Sequence, residues 1–209
     1  MNTLSGNRPH QGVVLRCGGL EFENIHRFPD PSDYGPKLWL VLDEVVDPQN
    51  FGALVRSSYF LGGASSLDDD SSIGVVVCKK NSSPLSPVVS AASAGAVEFS
   101  TIYSTNNLPK ILNTAKEDGW RILGAAAEAS SDMSDIACHD LHNIQESAPT
   151  IIVLGSEGYG LRTLVARACT GFVRIPGHNK SVDSSSGVDS LNVSVTGGIL
   201  LWHMKEICR

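Results

Sequence analysis

Short runs of apolar residues, separated by stretches of helical character, constrain the fold of this chain most strongly. Each run is nearly continuous, as in a strand buried on both faces of a parallel sheet. The runs are KLWLVLDEV from Lys37, IGVVVC from Ile73, WRILGAAAE from Trp120, TIIVLGSEG from Thr150 and GFVRIPG from Gly171. The helical stretches lie at residues 50–61, 87–96, 108–118, 161–168 and 190–205. This alternation predicts an α/β fold with a mostly parallel sheet and helices on both faces.

The chain has 209 residues and 42% hydrophobic content, which suits one compact domain. Residues 1–37 are rich in turn formers, so we predict an N-terminal arm or linker before a domain at residues 38–209. The net charge of −6 argues against nucleic-acid binding over the whole surface, so any RNA contact is expected to be local. No apolar run approaches the roughly 18 to 20 residues that a membrane span needs.

Neither a metal site nor a disulfide framework is predicted. The five cysteines are scattered and form no CxxC pair. Cys138, His139 and His142 could be drawn as a metal cluster, but they lack further ligands at suitable spacing and are interpreted as a polar loop. The acidic residues 68–70 are interpreted as a solvated loop, and the Ser-rich stretch 178–189 as a flexible surface loop.

The first of three polar segments is DPQNFGALVRSSYFLG at residues 47–62. Asn50 lies near the predicted helix start and Arg56 about a turn and a half further on. In one interpretation Asn50 caps the helix and Arg56 is a solubilising surface residue. In the other, the small residues around Arg56 leave room for a substrate or a second subunit. The residues alone leave both open.

The second segment, VLGSEGYGLR at residues 153–162, runs from a strand into a glycine-rich turn and then a helix. Such a turn lets the backbone approach a ligand and offers N–H groups to it. The order of its glycines is neither GxGxxG nor that of a phosphate-binding loop, and Glu157 would repel a pyrophosphate. This argues against the alternative of a nicotinamide-dependent enzyme. By itself the turn identifies no function, because such turns are common in α/β proteins.

The third segment comprises RIPG at residues 174–177 and DSLNVSVTGGILLW at residues 189–202. Ser190 can be interpreted as the N-cap of the last helix, with Asn192 in its first turn. Alternatively, the hydroxyl and the amide orient a ligand at the start of that helix.

In this order and spacing, the three segments resemble the motifs of the SpoU (TrmH-like) family of RNA ribose methyltransferases, within the SPOUT superfamily. HQGV at residues 10–13 is similar to the family's junction between its substrate and catalytic domains. The resemblance implies a deep trefoil knot at the C-terminal end of the sheet, an exception to the usual unthreaded topology. It also implies S-adenosylmethionine as cofactor and a ribose 2′-hydroxyl in structured RNA as methyl acceptor, without a metal.

The same resemblance assigns the site residues. The catalytic group it implies is Arg56, Asn50, Glu157, Ser190 and Asn192. The residues it places against the cofactor are Gly124, Ala126, Ala127, Leu154, Gly155, Gly158, Ile175, Pro176, Ser190 and Leu191. A guanidinium stays protonated at neutral pH, so we expect Arg56 to clamp a phosphate and stabilise the developing alkoxide rather than to act as a base.

Within the family, the first and third motifs are most similar to the mitochondrial branch that methylates a guanosine of large-subunit ribosomal RNA. The resemblance therefore implies rRNA as partner, a mitochondrial location and a homodimer whose second subunit contributes to the site. The Ser-rich stretch and the lack of an RNA-recruiting domain before His10 depart from the family pattern. RNA capture is therefore expected to need the second subunit or another part of a longer protein. A tRNA 2′-O-methyltransferase and a non-catalytic RNA-binding or ribosome-assembly factor remain alternatives.

Overall fold

The computed structural model of the protein describes residues 3, 5–7, 9–14, 18–126, 136–156, 158–177 and 190–207. In these ranges the chain forms one sheet of eight strands flanked by five α-helices. The strands are β1 (Glu23–Asn24), β2 (Leu38–Leu42), β3 (Ile73–Cys78), β4 (Ile102–Thr105), β5 (Arg121–Ala125), β6 (Cys138–Asp140), β7 (Thr150–Leu154) and β8 (Gly171–Arg174). The helices are α1 (Pro48–Gly62), α2 (Pro87–Ala92), α3 (Leu108–Glu117), α4 (Thr163–Ala168) and α5 (Val193–Ile207).

The strand order of the sheet is β1-β4-β3-β2-β7-β5-β8-β6, and every neighbouring pair is parallel. Strands β2, β3 and β7 are buried along their whole length, as their continuous apolar sequences predict. Strand β7 lies between β2 and β5, although both precede it in the chain. The carboxyl ends of β2, β7, β5 and β8 are therefore neighbours along one edge of the sheet.

Helices cover both faces of this sheet. Successive strand residues point to opposite sides, so one strand contributes side chains to two cores. On one face, Leu40 of β2 belongs to a core that includes residues of α1, α2 and α5. On the other, Trp39 of the same strand belongs to a core that includes residues of α3 and α4. The α/β architecture with helices on both faces is thus confirmed, and each described strand pair is parallel.

Glycines permit the close approach of the helices on the α1 face. A Cβ on Gly52 would lie 2.5 Å from the Cβ of Ala92 in α2, and a Cβ on Gly197 would lie 2.3 Å from Cδ2 of Leu54 in α1. Ser58 is buried, and its hydroxyl donates to the Leu54 carbonyl. Gly52 and Ser58, two of the small residues near Arg56, therefore serve packing within the subunit rather than leaving room for a substrate.

Several local expectations were wrong. Helix α5 begins at Val193 rather than Ser190. Cys138–Asp140 forms β6, which pairs with β8, where a polar loop was expected. Strand β4 was not predicted.

Within the predicted arm at residues 1–37, β1 pairs with β4, and Ile25 and Phe28 are buried, so this part of the arm packs against the sheet.

Within the described ranges, none of the helices has the length and apolar character that a membrane span needs. The same residues contain no group of three or more His, Cys, Asp or Glu side chains that could hold a metal ion. The stretch 178–189, expected to be a surface loop, lies outside the described residues.

Candidate active site at the carboxyl edge of the sheet

The loops that follow four neighbouring strands meet at the carboxyl edge of the sheet. The N–H of Asp43, just after β2, donates to the Leu154 carbonyl of β7 at 2.8 Å. The N–H of Ala126, just after β5, donates to the Val173 carbonyl of β8 at 3.1 Å. Open parallel sheets bind ligands at this edge, where connections leave in opposite directions from adjacent strands. Here the connections diverge at β2 and β7: β2 is followed by β3 on one side, and β7 by β8 on the other.

The glycine-rich turn after β7 is closed by backbone hydrogen bonds. Ser156 and Gly160 exchange two of them, at 3.0 and 2.9 Å, and the Tyr159 N–H donates to the Ser156 hydroxyl at 3.2 Å. Gly155 has no room for a side chain, since a Cβ there would lie 2.2 Å from the Gly160 carbonyl carbon. Gly158 is exposed, and a Cβ there would meet nothing within 4 Å. Glu157 lies outside the described residues.

A buried ion pair holds the exit of this turn. The Asp43 side chain is fully buried, and Arg162 binds both of its oxygens. The Arg162 backbone N–H donates to Oδ2 at 2.9 Å, while Nε and Nη2 lie 2.7 and 2.6 Å from Oδ1. This hydrogen bonding raises the pKa of Arg162 above its ordinary value. Sequence reasoning missed the pair, whose only signals were an aspartate directly after a buried strand and an arginine directly after the turn.

An amide pair joins the first and third motifs. Asn50 is buried in the first turn of α1, and its Oδ1 accepts a hydrogen bond from Nδ2 of Asn192 at 3.1 Å. The N-cap of α1 is Asp47, whose carboxylate accepts from the Gln49 N–H at 3.0 Å, so the capping interpretation of Asn50 was wrong. At α5, the side chain of Asn192 accepts from the Ser194 N–H at 2.9 Å and caps the helix in place of Ser190.

Arg56 lies apart from this amide pair. It is six residues beyond Asn50, which places it about 9 Å further along α1 and roughly 120° around the axis. The Arg56 side chain is exposed, and none of the described residues forms a hydrogen bond or ion pair with it. The structure thus brings Asn50 and Asn192 together but leaves Arg56 pointing outward from the subunit.

The residues expected at the cofactor lie in or just after β5, β7 and β8, in the glycine-rich turn, or just before α5. Gly124 is buried in β5, where a Cβ would lie 2.7 Å from Leu161 and 2.9 Å from Phe172. Ala126, Gly155 and Ile175 are half-buried and Leu154 is buried, whereas Pro176, Ser190 and Leu191 are exposed. Ala127 lies outside the described residues.

The chemistry of this edge suits a neutral nucleoside better than a dinucleotide. Ala126, Gly155 and Ile175, half-buried after β5, β7 and β8, are small or apolar and carry no charge. Uncharged surroundings of this kind suit the apolar face of a nucleobase. A pyrophosphate would require cationic partners, and the one cation described beside this turn, Arg162, is already bound to Asp43.

Comparison with known proteins gives a consistent result. The model of the SpoU rRNA Methylase family matches residues 37–202. The chain is 35% identical to rRNA methyltransferase 1, mitochondrial, of Schizosaccharomyces pombe, over 98% of this chain and 71% of that protein. It is 36% identical to the human protein of the same name, over 96% of this chain and 55% of that protein. It covers only 39% of the similarly named protein of Dictyostelium discoideum, at 34% identity. The chain thus spans less than two thirds of the length of two of these three relatives.

A bacterial relative and two solved structures add to this. The chain is 32% identical to the 23S rRNA (guanosine-2′-O-)-methyltransferase RlmB of Vibrio parahaemolyticus, over 93% of this chain and 69% of that protein. A structure from Porphyromonas gingivalis, assigned to the TrmH family of RNA methyltransferases, matches 85% of this chain and 62% of its own at a TM-score of 0.65 and 28% identity. The SpoU methyltransferase AviRb of Streptomyces viridochromogenes, solved with AdoMet, shares the fold at a TM-score of 0.64 and 18% identity, over 85% of this chain and 59% of its own.

Proposed function

Because the chain belongs to the SpoU rRNA methylase family, we propose that it transfers the methyl group of S-adenosylmethionine to a ribose 2′-hydroxyl in structured RNA. The observation that carries this proposal is the junction of motifs at one sheet edge. Asn50 follows β2, binds Asn192 at the start of α5, and shares that edge with the glycine-rich turn. The names of the relatives support ribosomal RNA, a guanosine acceptor and mitochondria as the finer assignment.

We assign the cofactor to the loops after β5, β7 and β8 together with the start of α5. The supporting observation is the set of small or apolar residues that end or follow these strands. The residues proposed to hold it are Gly124, Ala126, Leu154, Gly155, Gly158, Ile175, Pro176, Ser190 and Leu191, with Ala127 added by the family pattern. When bound, S-adenosylmethionine would supply an electrophilic methyl group: the ribose oxygen would bond to the methyl carbon as the carbon–sulfur bond breaks, S-adenosylhomocysteine would leave, and water would take the hydroxyl proton.

The protein's part in this reaction is positioning and charge stabilisation. The Asn50–Asn192 amide pair fixes the relative position of α1 and α5, and we propose that it borders the acceptor ribose. Arg56 clamps the phosphate next to that ribose and stabilises the developing negative charge on the 2′-oxygen. Ser190 and Glu157 complete the proposed polar group.

The outward position of Arg56 supports a homodimer. Gln49, Ala53, Arg56 and Phe60 follow one another at helical spacing on α1 and form its outward stripe. Phe60 is 86% exposed, and on α5 Val195 and Trp202 are 48% and 57% exposed. Apolar side chains of this size clustered on two packed helices are typical of an interaction surface. We propose that a second copy covers this surface and so brings its Arg56 to the site of the first.

The dimer proposal is tested by measuring molar mass with light scattering after gel filtration. We expect the wild-type mass to be that of two chains and Phe60→Asp to reduce it to one. Leu164→Asp is the matched control, since Leu164 is 65% exposed but lies on α4, on the other face of the sheet. A wild-type protein with the mass of one chain would contradict the dimer, and a dimeric Phe60→Asp variant would contradict this surface.

We further propose that residues 38–209 form the methyltransferase domain after an arm at residues 1–37, and that the domain contains a trefoil knot. The family match at residues 37–202 supports the domain. The family resemblance and the positions of two described elements support the knot: β8 lies beyond β5, whereas α5 packs with α1 and against β7 and β2.

The reaction is tested by transfer of radioactive methyl from S-adenosylmethionine to transcripts of mitochondrial large-subunit rRNA and of tRNA. We expect label in the rRNA, at a guanosine 2′-oxygen. Arg56→Ala should lower the rate at least about 100-fold, the usual cost of losing one group that stabilises developing charge. Arg167→Ala is the control, because Arg167 is an exposed arginine on α4.

Each other outcome has a definite meaning. Label in tRNA alone would favour the tRNA enzyme. Cofactor binding without transfer to either RNA, or no cofactor binding at all, would favour a non-catalytic RNA-binding protein. Undiminished transfer by Arg56→Ala would remove the role given to Arg56.

A further inference from the structure

We propose that Asp43 acts as a clamp on the glycine-rich turn and, with Arg162, sets the affinity of the protein for its cofactor. The inference rests on the proposed function, since it takes residues 155–160 to bind S-adenosylmethionine. Neither residue belongs to the group that would touch the cofactor or the RNA. Both are therefore positioning residues.

Asp43 holds both ends of the loop that contains the turn. Its backbone N–H donates to the Leu154 carbonyl, the last residue before the loop, at 2.8 Å. Its carboxylate binds Arg162, two residues after Gly160 closes the turn. This one residue, directly after β2, thus fixes the start of the loop with its main chain and the end of the loop with its side chain.

The contact with Arg162 constrains backbone as well as side chain. Oδ2 of Asp43 accepts from the Arg162 main-chain N–H at 2.9 Å, while Oδ1 binds the guanidinium. A surface ion pair between two side chains leaves the backbone free and contributes little. Here the carboxylate has no exposure to solvent, so losing Arg162 would leave a buried charge unpaired. The turn cannot leave its position without breaking this pair.

Glu44, the residue after Asp43, connects this pair to the start of the first motif. Glu44 has a φ of 63°, an unfavourable conformation for a non-glycine residue. Its carboxylate accepts a hydrogen bond from Nδ2 of Asn81, after β3, at 3.0 Å and lies 3.7 Å from Arg162. Strain of this kind persists only where surrounding contacts hold it. The segment from Asp43 to Asp47, the N-cap of α1, is thereby set relative to the turn.

The test measures binding of S-adenosylhomocysteine by calorimetry and, without ligand, hydrogen exchange of the amides at residues 155–162. We expect Asp43→Asn, which keeps the shape but loses the charge, to bind about tenfold more weakly and to exchange faster at the turn. Arg162→Lys keeps the cation but loses the forked geometry, and should weaken binding by a smaller factor. Asp118→Asn is the control, because Asp118 forms a two-bond pair with Arg27 just before β5, at the opposite edge.

In turnover assays the KM for S-adenosylmethionine should rise in Asp43→Asn while the KM for RNA stays constant, a split that general destabilisation would not produce. A folded Asp43→Asn with wild-type affinity and wild-type exchange overturns the clamp. If that variant does not fold, wild-type affinity and wild-type exchange in Arg162→Lys overturn it instead. If the wild type binds no S-adenosylhomocysteine, the proposed function fails, and the exchange measurement alone decides whether Asp43 holds the turn.

Discussion

Substituting Gly155 by alanine should disable the cofactor turn, whereas the same change at Gly158 should be tolerated. A Cβ on Gly155 would lie 2.2 Å from the Gly160 carbonyl carbon and 2.3 Å from its oxygen. Carbon atoms in contact prefer about 3.5 to 4.0 Å. The clash is with backbone, so no side-chain rotation can relieve it, and the turn must open by more than about 1 Å.

Opening the turn breaks the two backbone hydrogen bonds between Ser156 and Gly160. At about 1 kcal/mol for each bond, with the strain of displacing the segment added, we expect Gly155→Ala to lower the free energy of unfolding by about 2 to 4 kcal/mol. Gly158 has open space and should change it by no more than about 0.5 kcal/mol. Urea unfolding monitored by tryptophan fluorescence measures both variants.

Binding should follow the same order. An opened turn presents its N–H groups in the wrong positions, so we expect the affinity of Gly155→Ala for S-adenosylhomocysteine to fall at least about 30-fold, equivalent to about 2 kcal/mol. Gly158→Ala should bind much more tightly than Gly155→Ala. Equal stability and equal affinity of the two variants would refute the inference that Gly155, unlike Gly158, has no room for a side chain.

Two further predictions follow from the helix cap and from a buried thiol. Asn192→Ala removes the cap of α5 and the bond to Asn50, and should lower the free energy of unfolding by about 1 to 3 kcal/mol. Asn192→Ser should recover the part of this stability that comes from capping. An alanine variant as stable as the wild type would contradict the cap. Burial raises the pKa of Cys169 to about 12, so above the ordinary thiol pKa of about 8.5 the unfolded chain loses a proton that the folded chain keeps. Stability should therefore fall as pH rises through this window, by up to about 1.4 kcal/mol per pH unit. Cys169→Ala should fall less steeply in urea titrations at alkaline pH, and an unchanged slope would count against this burial effect.

The sequence predicted the centre of the sheet well because those strands are apolar on both faces. Ile73–Cys78 was predicted with its observed bounds, and β2 and β7 differ only at their ends. The missed strands β1, β4 and β6 have two to four residues each and carry polar side chains. Their pairing depends on the neighbouring strand, which a local pattern does not contain.

The site shows the same division between local and long-range information. The motifs named Asn50 and Asn192 but could not show that their amides bind each other, 142 positions apart. Asp47 before Pro48 was a readable capping signal, since proline favours the first helical position, and it was overlooked in favour of Asn50. The positions of Asp43 after a buried strand and of Arg162 after the turn could not show that the two residues pair, because their contact exists only once β2 and β7 lie side by side.

The central place of β7 has a consequence for the making of the protein. Until residues 150–154 leave the ribosome, β2 and β5 have no strand to pair with on their facing edges. Unpaired apolar edges of this kind are sites of misassociation between nascent chains. The edge of β2 that pairs with β7 therefore stays unpaired while residues 43–149 are made. We expect a chaperone that covers this edge to raise the yield of folded protein without changing the stability of the finished sheet.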